Sequence, residues 1–343
     1  MPLVNREATS TFRDIINRPG STIVPGGSLP IQAVLAERAG YEVFHVSGGF
    51  YHNYYLGVPD SGLWTSTEFV EYARKIVDAV DIPVFSDTDV CGGNAINVYR
   101  TVTDLIHVGL AGCHIEDVEY PKGITKAGLK WNPLRGEMHG DELLVSVEEQ
   151  VGRLKAAVAA RDELDPNFVI IARTDARTSH GGSLELAIER AQAYEEAGAD
   201  MIMFDGMRTF DECRAALAAC RIPAFNSGEL VQFPRDEQGN PVDMPTVEEK
   251  TAAGEKFILW VGLGWQNAVQ TAWEQLVAVK KDGFGVINEW HHTEARRPRS
   301  EKAPRYRTEY MEKIIAVQQK YLPPQITTTT SDHEAEDRTH ATA

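Results

Sequence analysis

Asp87 and Asp89 stand two residues apart, directly after the short apolar run Pro83, Val84 and Phe85 and shortly before Gly92 and Gly93. Residues i and i+2 of a strand face the same side, so this spacing predicts two carboxylates converging on one point with Thr88 turned away. Neighbouring carboxylates repel unless they share a proton or a cation. An all-oxygen site suits Mg2+ or Mn2+, and because Mg2+ keeps several waters only one carboxylate need touch it. The alternative is that the pair caps the following turn or helix.

Similar residues close other short apolar runs. Ser47, Gly48 and Gly49 can offer backbone N–H groups to a carboxylate or phosphate, because glycine lets a ligand approach closely. They can equally form a tight turn. Glu116 with Asp117, Arg173 with Asp175, Asp205, and Asn226 with Glu229 occupy comparable positions. Arg173 can clamp a carboxylate bidentately, or pair internally with Asp175 or Glu116.

These groups need a scaffold that brings the ends of the runs together. The runs are 22–27, 41–49, 82–89, 112–117, 167–175, 200–206, 222–228 and 256–262. Each is short, rich in Val, Ile or Phe and bounded by Gly, Pro or Asp, which reads as a strand. Between them lie segments with helical periodicity, such as "SLPIQAVLAERAG", "STEFVEYARKIVDAV" and "LELAIERAQAYEEAG". Ser66 and Thr67 are the cap candidates of the second. Alternating strands and helices imply a parallel sheet. Eight strands favour a closed (β/α)8 barrel of the TIM type, whose reactive groups gather at the carboxyl ends of the strands. An open dinucleotide-binding sheet would need a glycine fingerprint after the first strand, and "VPGGSLP" is not one.

The expected organisation is an N-terminal segment over 1–20, a barrel with C-terminal helices over 21–322, and a polar low-complexity tail over 323–343 without fixed structure. Helices are expected over 263–281 and 303–322, and a surface loop over 233–246.

Composition narrows the partners. The 343 residues are 43% hydrophobic and 24% charged, enough for a large core, and the net charge is -16. With no Lys/Arg-rich run, nucleic acid and anionic membranes are not expected partners. Nothing reads as a signal peptide or membrane span. The cysteines, Cys91, Cys113, Cys213 and Cys220, form no CxxC pair, so a reduced, cytoplasmic protein is expected.

The pieces "HVSGG", "LGVPDSGLWTSTEFVEYARKI", "DTD" with "GNAINVYRTV", "AGCHIED", "VIIARTDA" and "AIERAQAYEEAGADMI" resemble the isocitrate lyase / phosphoenolpyruvate mutase superfamily. They span roughly residues 25 to 230 in the family's order. The resemblance implies a (β/α)8 barrel, with its eighth helix swapped between subunits of a homo-oligomer, usually a tetramer. It implies that Asp87 binds Mg2+ directly, while Asp89, Glu116 and Asp60 hold it through waters. Ser47, Gly48 and Gly49 would bind a substrate carboxylate, Arg173 a substrate oxygen and Asn226 the distal acidic group. Asp205 stands where the family usually has glutamate.

The departures bear on the reaction. Lyases of the family carry a loop of the "KRCGH" type after the fourth strand, whose cysteine protonates the leaving carbanion. Here Lys122 matches the lysine, but Ile124 stands at the cysteine and no Gly-His follows. The Lys-Thr-Asn loop of the mutases and phosphonopyruvate hydrolases is also absent. Gln266 replaces an arginine, and His45 stands where an aromatic hydroxyl is common. The long segment from Val118 to Gly140 is expected to be a lid. The activity implied is Mg2+-dependent C–C cleavage of a small 2-hydroxy or 2-oxo dicarboxylic acid, such as an alkylmalate or a methylisocitrate-like acid, through an enolate-type intermediate. Lys122, His45, Glu119 or His139 would move the proton, and Arg173 would orient the acid. The alternatives are a 2-oxo acid decarboxylase, a C–C or C–P hydrolase or mutase, and a non-catalytic barrel.

Overall fold

The computed structural model describes residues 6–120, 122, 126–132, 137–227, 240, 243–261, 265–296 and 308–322. Among them, all eight expected runs form strands. β1 is Thr22–Gly27, β2 Phe44–Val46, β3 Val84–Asp87 and β4 Gly112–Glu116. β5 (Lys126–Asn132) and β6 (Glu137–Glu142) form a separate pair, and β7 is Val169–Thr174. β8 (Met201–Asp205), β9 (Ala224–Ser227) and β10 (Phe257–Val261) complete the set. The parallel sheet runs in the order β10-β1-β2-β3-β4-β7-β8-β9. Its two edges meet through a bridge between Ala224 and Glu255 and a bond from Lys256 N to Ala224 O. The result is a (β/α)8 barrel.

The first helix, α1 (Arg6–Asn17), belongs to this barrel although the sequence marked it only as a leading segment. Phe12, Ile15 and Ile16 are buried among the inward-facing side chains Val24, Phe85, Val169, Ile171, Met201, Met203, Phe225 and Phe257. The Phe12 ring stacks on Phe85 and Phe257 at 5.2 and 5.7 Å. Arg13 bonds the carbonyls of Pro166, Asn167 and Phe168 and pairs with Asp200. These groups precede β7 and β8, so α1 closes the amino-terminal mouth and leaves the carboxyl ends of the strands for the site.

The outer helices begin where the chain supplies a cap. α2 (Pro30–Ala39) starts with Pro30, whose fixed φ suits a first helical position, and ends at Gly40 with φ 93°. α3 (Gly48–Phe50) runs into a π-helix, Tyr51–Leu56. In α4 (Ser66–Val77) the N-cap is Thr65, one residue before the expected candidates, because Glu68 can return a bond to the Thr65 N–H only from that register. Asn94, Ser146, Ser183, Thr209 and Thr246 cap α5 (Ala95–His107), α6 (Val147–Leu164), α7 (Leu184–Glu196), α8 (Phe210–Ala218) and α9 (Val247–Ala252). Buried faces of α4 to α8 pack on the outward side chains of the sheet, among them Phe44, Cys113, Ile115, Ile170, Ile202 and Phe204.

The segment expected to be a lid contains the antiparallel hairpin β5–β6, with a register shift between Ala127 and Lys130. Its stem is tied by a Val118–Leu144 bridge and by a bond from Val145 N to Asp117 O. Most of the expected loop 233–246, Gln266 as a side chain and the tail 323–343 lie outside the described residues.

Residues up to Val277 form one compact unit, and Ala278–Ala343 a second. α10 (Trp265–Asp282) begins in the first unit and crosses that boundary. α11 (Gly285–Ala295) and α12 (Thr308–Tyr321) belong to the second unit, and α11 was not anticipated. Among the described residues, no helix is long and apolar enough to cross a membrane.

Candidate active site

The strand ends do converge. Asp87 closes β3, Glu116 closes β4 and Asp205 closes β8, while Arg173 and Asn226 lie near the ends of β7 and β9. Ligand atoms of Asp87, Asp89 and Glu116 lie within 4.8 Å of one another, and those of His52, Asp60 and Asp89 form a second such group. The two groups share Asp89.

The reason Asp89 joins the cluster differs from the expectation. β3 stops at Asp87, so strand alternation does not orient Asp89. The chain turns there through left-handed backbone, with φ 45° at Asp89 and 52° at Cys91. Such conformations are costly for residues other than glycine and need surrounding bonds to hold them. Asp89 N donates to Asp87 Oδ1 at 3.0 Å, and Asp89 O accepts from Glu116 N at 2.8 Å. Thr88 Oγ1 donates to His114 O at 2.7 Å. The turn is thus pinned to β4, and the pair converges.

Glycine makes the close approach possible. A Cβ on Gly48 would lie 2.9 Å from Asp87 Oδ2, and one on Gly49 would lie 3.2 Å from Asp60 Oδ2. Ser47 caps the helical turn, its hydroxyl accepting from Phe50 N. The first N–H groups of a helical turn have no intrahelical partner. Gly48 and Gly49 therefore supply both features considered, a βα turn and main-chain donors, whereas the Ser47 N–H, expected to face a substrate, is already bonded to Gly27 O at 2.8 Å.

Two cations sit against the carboxylates. Lys122 Nζ lies 2.8 Å from Glu116 Oε1, 3.0 Å from Asp89 Oδ1 and 3.2 Å from Asp60 Oδ2. Arg173 Nη1 lies 2.6 Å from Glu116 Oε1 and 3.9 Å from Asp87 Oδ2. The other edge of the guanidinium grips Asp175 through Nε and Nη2 at 3.0 and 2.7 Å. The internal pairing of Arg173 is therefore realised, and its Nη1 corner faces the cluster.

Burial shapes the charges. It raises Asp87, but His114, Lys122, Arg173 and the Asp89 N–H outweigh it and hold this carboxyl below the usual range. Burial raises Asp89 against the pull of Lys122, and raises Glu116 well above its ordinary value against Arg173 and Lys122. Asp175 is pushed by burial up to about 7. Burial would lower Lys122, yet Asp60, Asp89, Glu116 and Asp87 outweigh it and keep the ammonium charged.

His45 lies beneath this layer. Its Nε2 is 2.9 Å from His114 Nε2, and its ring packs on Phe85. His114 Nδ1 in turn lies 3.5 Å from Asp87 Oδ1. Burial lowers His45 to about 4, so the imidazole is neutral at pH 7. Asn226 is 1% exposed, and neither its Oδ1 nor its Nδ2 has a partner among the described residues. Asp205 Oδ2 stands 3.5 Å from Arg173 Nη2. The His139 side chain lies outside the described residues.

Residues 14–280 match the family model described as phosphoenolpyruvate phosphomutase. The chain belongs to the phosphoenolpyruvate mutase / isocitrate lyase superfamily. It is 36% identical over 221 residues to 2,3-dimethylmalate lyase of Eubacterium barkeri, covering 64% of this chain and 70% of the relative. It is 32% identical over 280 residues to 2-methylisocitrate lyase of Shewanella oneidensis, covering 82% and 88%. A solved phosphonopyruvate hydrolase complex with oxalate and Mg2+ superposes with a TM-score of 0.71 at 26% identity, covering 92% of this chain and 99% of that one.

The superfamily's magnesium ion fits these residues. The donors are carboxylate oxygens, Gly48 leaves space beside Asp87, and buried Glu116 Oε2 and Asp60 Oδ1 have no hydrogen-bond partner among the described residues. Two further residues touch this cluster and were not singled out in the sequence. Trp64 Nε1 donates to Asp89 Oδ2 at 2.6 Å, and His52 Nδ1 lies 2.8 Å from Gly48 O and 3.6 Å from Asp60 Oδ1. Trp64 lies in one of the stretches that carry the family resemblance and His52 outside them, and the loop paths bring both in.

Proposed function

We propose that the protein is a Mg2+-dependent carbon–carbon lyase acting on a small 2-hydroxy or 2-oxo dicarboxylic acid, of the alkylmalate or methylisocitrate-like type. The observation that carries this reading is the buried convergence of Asp87, Asp89 and Glu116 beside Arg173 at the carboxyl ends of the strands. Asp87 would hold the ion directly. Asp89, Glu116 and Asp60 would hold its waters, since Trp64 already occupies Asp89 Oδ2. Mn2+ has the same ligand preference.

A bound ion would polarise the substrate's 2-oxygen and stabilise the negative charge it carries once the 2-hydroxyl proton is removed. The protein's own groups do the rest. Gly48 and Gly49 direct N–H groups at the substrate carboxylate next to the 2-oxygen. The Nη1 corner of Arg173 faces a substrate oxygen and is held there by the Asp175 fork. The unpaired amide of Asn226 receives the distal acid group. Lys122 carries a proton at Nζ beside the cluster and is the described residue placed to exchange it with substrate. His45 acts through His114, which faces Asp87.

Bond cleavage removes the 2-hydroxyl proton, sends the C–C electron pair to the carbon next to the departing carboxylate, and ends with protonation there. In the family's cysteine-loop lyases that last proton comes from a thiol. Here the corresponding position is Ile124, which favours a second reading of the same site as a hydrolase or decarboxylase of a 2-oxo acid. The similarity to phosphonopyruvate hydrolase supports it. Release of pyruvate from a panel of alkylmalates, methylisocitrate, oxaloacetate and phosphonopyruvate, together with release of oxalate from oxaloacetate, separates the readings. Turnover of the first two with Mg2+, lost in Asp87→Ala by roughly three orders of magnitude or more while the fold persists, supports the lyase. Turnover of the last two alone supports the second reading, and turnover of none overturns both.

The protein is also proposed to work as a homo-oligomer. Val269, Trp273, Leu276 and Val277 are exposed along one helical face of α10.

A further inference from the structure

We infer that Lys122 is the site's built-in counter-cation: its ammonium holds the metal-free carboxylates together, yields when a divalent cation enters, and returns when an acid anion follows. The inference rests on the reading of this site as a Mg2+ centre.

Three carboxylates from three segments meet at one Nζ atom. Asp60 comes from the loop before α4, Asp89 from the turn after β3 and Glu116 from the end of β4. The two groups of potential metal ligands share Asp89, and Lys122 pairs with members of both. An ammonium bound to the same oxygens that would face a divalent cation or its waters is a competitor for that cation. The lysine is seated for this task. It is 6% exposed, and Gly62, with φ +63°, admits it so closely that a Cβ there would lie 3.2 Å from Lys122 Cβ and 3.3 Å from its main-chain N.

Charge decides the sequence of events. Asp60, Asp87, Asp89 and Glu116 draw Lys122 in beside Arg173 when no metal ion is present. A divalent ion removes most of that attraction and adds repulsion between like charges in a site shielded from water. A dianionic acid on the ion restores negative charge, and its oxygens offer the ammonium new acceptors. Lys122 thereby distinguishes an ion that carries an acid from one that does not.

The test compares the wild type with Lys122→Met and Lys122→Arg. Mg2+ titration calorimetry should show at least tenfold tighter binding to Lys122→Met, and binding within about threefold of wild type for Lys122→Arg. Acylation of the wild type, read by mass spectrometry, should find Lys122 protected in the metal-free protein. It should become reactive with Mg2+ alone and protected again with Mg2+ plus oxalate. Equal or weaker Mg2+ binding by Lys122→Met overturns the inference, as does identical labelling in the three states. Should Lys122→Met not fold, the wild-type labelling and Lys122→Arg decide. Mg2+ binding to none of the three forms overturns the metal reading itself and this inference with it.

Discussion

Trp64 donates its indole N–H to Asp89 Oδ2 over 2.6 Å, although twenty-five residues separate them in the chain. The bond fixes a buried carboxylate whose backbone sits in a left-handed conformation. Trp64→Phe keeps most of the packing against Phe69 and removes only the donor. The expected cost is about 1.5–3 kcal/mol of stability, the usual range for a hydrogen bond to a charged group. Urea unfolding of the two proteins measures it, and an unchanged midpoint would assign the bond no stabilising role.

The cysteines should be silent. Cys91, Cys113 and Cys213 are buried, and Cys220 is partly so. Burial pushes Cys91, Cys213 and Cys220 up to about 12 and Cys113 well above its ordinary value. The thiolate is the reacting form. Iodoacetamide at pH 7 should therefore leave turnover within about twofold of the untreated enzyme. Rapid inactivation that tracks alkylation of one cysteine would place a thiol in the reaction after all.

His45 predicts how stability depends on pH. Burial lowers it from 6.5 to about 4, with Asp87 opposing, so the folded protein holds it neutral while the unfolded chain protonates it near 6.5. Its contribution is complete above pH 6.5 and disappears as pH falls towards 4, because the unfolded state there binds more protons. Relative to His45→Gln, the wild type should lose about 3 kcal/mol between pH 7 and pH 4. Denaturant midpoints across that interval test this. Parallel curves for the two proteins would contradict a buried neutral imidazole.

The exposed apolar face of α10 leads to an expectation about assembly. Burying Trp273, which is 63% exposed, and Leu276, which is 69% exposed, against a second copy removes apolar surface from water. Light scattering at micromolar concentration should give a mass of at least twice 38.0 kDa. Trp273→Glu should lower it by placing a charge in the contact. A monomeric wild type would remove the oligomer from the proposal.

The sequence by itself determined the eight strands and the line-up of polar residues at their ends. Those features are local: a short run of β-formers bounded by Gly, Pro or Asp is strand-like wherever it is placed, and Asp87, Glu116 and Asp205 each close such a run. What each polar residue touches depends on neighbours distant in the chain, and that only the tertiary structure decided. Parallel register sets Asp87 beside His114 and Glu116 beside Arg173. It also lets His45, on β2, reach His114 across β3. α1 escaped notice because its amphipathic face matches the barrel's open end and nothing near it in sequence. Asp89 faces Asp87 through a strained turn that a period-two pattern cannot encode, and bonds to Asp87 and Glu116 hold that turn. The sequence left Arg173 either to clamp an acid or to pair with Asp175 or Glu116, and a buried guanidinium needs partners, which both residues supply. Residue type and local backbone preference fix which groups arrive at the rim, while register, loop path and the need to pair every buried charge fix which of them meet.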